Sequence, residues 1–135
     1  MYCNYSKGKF NKECTFIIPC WLDEEDIIEE FGSLNLEYDK DIDKFQSSEW
    51  SDAGNYLQSL AWSEANYLTL LQNGWKPQQA RAVLPNALKT ELIMTGTIEQ
   101  WEGFFKLRDA GSAHPQAYEL AHPLHEEFIK RGYLK

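Results

Sequence analysis

Residues 77–108 read PQQARAVLPNALKTELIMTGTIEQWEGFFKLR, and the punctuation of this stretch sets out a helix, a strand and a second helix. Pro77 suits a first helical turn, where its missing N–H costs nothing, and Pro85 stops that helix within about two turns. Arg81 lies inside it. After the Pro85-Asn86 turn, LKTELIMT mixes β-branched and apolar residues over the length of one strand, and Gly96 ends it. Thr97 with Gln100 three residues on is a capping box, so the next helix starts there and runs to about Arg108. Trp101, Phe104, Phe105 and Arg108 then fall at i, i+3, i+4 and i+7, which puts the arginine on an aromatic face. A guanidinium on such a face needs a planar acceptor, or else it snorkels past the rings to solvent at the helix end. Spacing alone favours the second reading for Arg108, and for Arg81 likewise.

Working outward, CTFIIPCWL (residues 14–22) is a short apolar run closed by Pro19 and reads as a second strand. LDEEDIIEEF (22–31) places Leu22, Ile27, Ile28 and Phe31 among six carboxylates, with an acidic first turn that the helix dipole favours. This is a short helix with a solvated acidic face, because no histidine or liganding loop accompanies the carboxylates. Residues 32–48 mix Gly, Ser, Asn and Asp with scattered apolar residues and read as a surface connection. From about Ser48 to Asn73, Trp50, Ala53, Leu57, Leu60, Ala61, Glu64, Leu68 and Leu71 keep helical spacing, and Asn73-Gly74 stops the helix. Trp50, Tyr56, Trp62 and Tyr67 read as packing residues. Past Arg108, DAGSAHP breaks the pattern and Pro115 opens a last helix with Tyr118, Ala121, Leu124, His125 and Phe128 on one stripe. A kink or restart is expected at Pro123, and a stop at Gly132. His122 and His125 are i, i+3 neighbours without a third ligand at a recognised spacing, so no metal site is assigned.

Composition bounds the rest. The chain has 135 residues, 43% of them hydrophobic, which suits a single domain with its own core. The expected class is α+β, a mostly helical single domain with about two strands and no complete sheet. A net charge of −8 and the lack of a basic stripe exclude a nucleic-acid polymer as partner but not a single nucleotide, which one or two arginines can hold. No run approaches the roughly 20 apolar residues that span a bilayer, so no membrane association is expected. Cys3, Cys14 and Cys20 form an odd set without a CxxC pair, as in reduced cytoplasmic proteins.

ARAVLPNALKTELIMTGTIEQWEGFFKLR, with NYSKGKF and TFIIPCWL near the start and HPQAYELAHPLHEEFIKRGYL near the end, resembles the flavin-dependent thymidylate synthases, the ThyX family. The resemblance covers nearly all of residues 1–135 and corresponds to the C-terminal portion of a family member. It implies methylation of dUMP to dTMP with methylenetetrahydrofolate as carbon donor, a reduced nicotinamide nucleotide as reductant and FAD as cofactor. The family signature RHRxxSxNExSxRY is missing apart from Tyr2, which matches its closing tyrosine, and Met1 stands where its last arginine belongs. The expectation is therefore a truncated, split or mis-started chain, inactive alone. Residue by residue, Arg81 matches an arginine that helps to hold dUMP. Arg108 matches the arginine at the uracil ring, a substrate-binding and catalytic group. Gln78, one turn before Arg81, is a weaker candidate for a sugar contact. Thr97 stands where many relatives carry a flavin-contacting asparagine, and Glu99 and Gly103 lack polar or basic character suited to FAD, so no cofactor-binding residue is assigned. The family's homotetrameric sites imply a homo-oligomer or a complementing N-terminal chain as partner. The alternative is a non-catalytic interaction or structural module that has kept the fold.

Overall fold

The computed structural model describes residues 14–46 and 49–135, so the expectations resting on Tyr2, Cys3 and NYSKGKF lie outside the described residues. The chain divides into two compact units, Met1–Thr90 and Glu91–Lys135.

The first unit is built on the helix that the apolar spacing predicts. Numbered in chain order, its helices are α1 (Glu24–Phe31), α2 (Tyr38–Asp41), α3 (Asp52–Gln72) and α4 (Pro77–Ala80), with 3-10 turns at Ile42–Phe45 and Arg81–Val83. The Ser51 hydroxyl caps α3 by accepting from Gly54 N–H at 3.1 Å, and it donates to the Glu30 carboxylate of α1. Asp23 caps α1, where its carboxylate accepts from Glu25 N–H at 2.9 Å, and Gly32 ends it at φ 79, a backbone conformation that costs a glycine nothing. Every other helical segment of this unit packs on α3. One buried cluster joins Ile27 and Phe31 of α1 to Ala53 and Ala61 of α3 and to Phe45. Each large side chain among them contributes about 1.5–3 kcal/mol through burial. The second cluster joins Tyr67 of α3 and Ala80 of α4, flanked by Leu68, Leu71, Leu84 and Leu88.

Two expectations need correction here. Residues 32–48 are more than a surface connection: α2 and the following 3-10 turn carry Phe45 into the core, where its ring lies 5.6 Å from that of Phe31. The α+β class with about two strands is also not confirmed among the described residues. The two segments do find each other, with an isolated antiparallel bridge between Phe16 and Leu88. Ile17 N–H donates to Ala87 O at 2.8 Å, and Lys89 N–H donates to Thr15 O at 2.7 Å. No ladder extends the bridge among the described residues, and Ile93 is 99% exposed. Strand propensity reports a surface suited to a pleated sheet, and it forms a strand only where a partner completes the hydrogen bonds. The described residues are mostly helical.

The second unit is a helical hairpin, α5 (Ile98–Arg108) and α6 (Pro115–Lys130). The capping box at its start is present: Gln100 N–H donates to Thr97 Oγ1 at 3.2 Å, and Thr97 N–H donates to Gln100 Oε1 at 2.9 Å. Phe105 is its buried centre, with Phe128 edge-on at 5.2 Å and Trp101 at 5.9 Å. Instead of restarting, α6 runs through Pro123, and Gly132 follows at φ 75. Of the expected α6 stripe only Ala121 is fully buried. No described helix is long and apolar enough to cross a membrane.

Candidate functional site

The two sequence-assigned arginines fall in different units. Arg81 opens the 3-10 turn after α4, and its carbonyl accepts from Leu84 N–H at 3.0 Å. Pro77 at the first position of α4 and Gln79, whose side chain accepts from Lys76 N–H at 3.0 Å, fix where that turn begins. Arg81 and Gln78 are both exposed. Arg108 is the last residue of α5. Its side chain is exposed and has no ion pair among the described residues, whereas Trp101 and Phe104 are half-buried and Phe105 is buried. The shared face therefore divides along its length, with the rings inward at the first turns and the guanidinium reaching water at the last.

Immediately after Arg108 the structure shows a group that the sequence reading missed. Asp109 caps α5, its N–H donating to Phe105 O at 2.8 Å. Its carboxylate is gripped by two α6 histidines: Oδ1 lies 2.8 Å from His122 Nδ1, and Oδ2 lies 2.6 Å from His125 Nδ1. The Asp109 side chain is only 11% exposed. The hydrogen bond from His125 chiefly, and that from His122 after it, hold the carboxyl below its ordinary value. An ionised carboxylate only accepts, so both Nδ1 atoms carry the proton and both Nε2 atoms face elsewhere. Nε2 of His122 lies 3.7 Å from Glu126 Oε1. Stacking fixes the rings: His125 on Phe105 at 4.4 Å and 12°, His122 on Tyr118 at 5.1 Å and 11°. The available signal was the i, i+3 histidine pair facing a carboxylate at the far end of a short hairpin connection. Among the described residues no group of three or more His, Cys, Asp or Glu side chains is arranged to hold a metal ion.

Two cavities are lined by described residues of the first unit and hold groups of chemical interest. One, of about 820 Å³, is a groove between α1 and α3 bordered by Asp23, Asp26, Glu29, Glu30 and Asp52, with Trp21 at its edge. The other, of about 210 Å³, is lined by Ile27, Leu36, Phe45 and Leu60 with Cys14 and Glu64. Glu64 is 9% exposed and accepts from Cys14 N–H at 2.7 Å. Burial, and then the Glu64 charge, push the Cys14 thiol up to about 12.

Comparison with known proteins puts this geometry in context. The thymidylate synthase complementing protein family model matches residues 1–131. Among curated relatives, a flavin-dependent thymidylate synthase of Saccharolobus solfataricus is 30% identical over 97 residues, covering 55% of this chain and 37% of that protein. One from Sulfurisphaera tokodaii is 36% identical over 72 residues, covering 52% and 28%. One from Mycobacterium avium is 34% identical over 70 residues, covering 49% and 28%. The chain thus matches about a third of the length of these relatives. No solved structure gives a significant match. With the match spanning nearly every residue, from the undescribed start through both arginines to the end of α6, the chain belongs to the thymidylate synthase complementing protein family.

Proposed function

We propose that this chain supplies part of the dUMP site of a flavin-dependent thymidylate synthase, with Arg108 acting on the uracil ring and Arg81 helping to hold the nucleotide. The observation that carries this reading is the Arg108 guanidinium, exposed at a capped helix end and without an ion pair among the described residues. A permanent cation beside a ring imide stabilises negative charge developing on the pyrimidine, and its planar fork bridges adjacent acceptors. Such a group contributes only when it is not already occupied by a carboxylate.

Neither of these two cavities suits FAD. The larger groove is walled by carboxylates that repel a diphosphate, and the smaller cavity falls below the roughly 300–1,000 Å³ typical of ligand pockets. Flavin contacts in the working enzyme are then expected outside these two cavities, with a complementing N-terminal chain or further copies in a homo-oligomer as the proposed contributors. Turnover by the 135 residues alone is not expected.

Calorimetric titration with dUMP, with and without FAD, tests the reading. Saturable binding is expected, and Arg108→Ala should abolish it while leaving helicity intact; equal binding by that variant would remove Arg108 from the site. A second reading, a non-catalytic interaction module, draws support from the apolar run at Leu92, Ile93 and Met94, all exposed. No binding at millimolar dUMP, together with a stable oligomer, would select it.

A further inference from the structure

We propose that His122 and His125 are positioning residues that keep Arg108 available to its ligand by occupying the carboxylate next to it. This rests on the reading of Arg108 as a nucleotide-binding group. Asp109 follows Arg108 directly and has left the helix, at φ −95 and ψ 48, so its side chain is not held to the helical positions that keep neighbours apart. Left free, an ionised carboxylate one residue away competes for the guanidinium, since carboxylate and guanidinium form a preferred planar pair. The histidines prevent this by each donating an Nδ1–H to a different oxygen, at 2.8 and 2.6 Å. Both rings are themselves fixed, His125 against buried Phe105 and His122 against Tyr118, so the clasp is set by the α5–α6 packing. Arg108 has no ion pair among the described residues despite this neighbour, as the arrangement requires.

The clasp therefore determines selectivity for ligands that offer Arg108 a planar acceptor, such as a ring imide or a carboxylate. Replacing both rings by phenylalanine keeps the stacking and removes the donors. In His122→Phe/His125→Phe, Asp109 turns to Arg108, and dUMP affinity should fall about three- to tenfold, the range of exposed to partly shielded ion pairs. Adding Asp109→Asn removes the competitor and should restore affinity. A staple that only stabilised the hairpin would give no such rescue. A ligand-free reading comes from the Arg108 Nε–H resonance in labelled protein: it should shift and exchange more slowly in the double variant and return in the triple variant. If no form binds dUMP but the resonance behaves this way, the nucleotide reading fails and the positioning role stands. An unchanged resonance in the double variant, or lost affinity that Asp109→Asn does not restore, overturns the proposal. Should circular dichroism show the double variant unfolded, His122→Phe alone, at the more exposed ring, supplies the same comparison.

Discussion

At the scale of single residues, the chemistry is governed by which charges have partners. The Asp109 carboxyl is held below its ordinary value by two imidazoles, and a carboxyl lowered in the folded state stabilises the fold above its unfolded value. That contribution is complete above about pH 4 and disappears as pH falls through the lower native value. Acid titration of the helical signal should accordingly show a loss below about pH 4 that Asp109→Asn flattens. Cys14 behaves in the opposite sense. With its thiol pushed up to about 12, it stays protonated at neutral pH and should resist alkylation, while exposed Cys20 reacts ahead of it. Glu64→Gln removes the lesser of the two causes, so labelling of Cys14, followed by mass spectrometry, should quicken but not reach the rate of Cys20. Asp109 was hidden in the sequence because one carboxylate beside an arginine is unremarkable, and histidines 13 and 16 residues away reach it only once the hairpin closes.

At the scale of elements, caps and close approaches decide where helices sit. The reciprocal Thr97–Gln100 bonds satisfy two N–H groups that would otherwise be orphaned at the start of α5. Thr97→Ala should therefore cost about 1 kcal/mol, read from urea denaturation of the second unit's helicity. In the first unit, Gly54 lets α3 approach α1: a Cβ there would stand 2.5 Å from Glu30 Oε1 and 2.6 Å from Trp50 Cε3. The carboxylate is the tip of a flexible chain and can move, but the Trp50 ring stacks on Phe31 at 5.6 Å and cannot do so freely. Gly54→Ala should lose about 1–3 kcal/mol to overpacking, offset by the roughly 1 kcal/mol that alanine gains in helix propensity. Net destabilisation in a denaturant melt is the expected result, and a more stable variant would show that Trp50 yields.

At the scale of the whole molecule, the chain is two helical units joined through an exposed, irregular segment. Residues 91–97 are exposed throughout and carry no regular structure. Limited proteolysis should nick the native protein first between Glu91 and Met94 and leave two fragments that match the units. First cleavage elsewhere among the described residues would show this connection to be protected. Helices α1, α3, α4, α5 and α6 were legible in the sequence, because Pro77, Thr97, Gly74 and Gly132 act locally and apolar spacing needs only one face of core, whereas α2 lies in residues that read as a connection. Family membership was legible too, since ARAVLP and FFKLR are short and contiguous. Tertiary structure alone decided what local rules cannot. LKTELIMT and CTFIIP have strand composition, yet they make one bridge, because a strand exists only with hydrogen-bonding neighbours along its length. Likewise the sequence marked Arg108 as chemically capable, but only the packing of α6 against α5 determined that two histidines, and not Arg108, receive the carboxylate of Asp109.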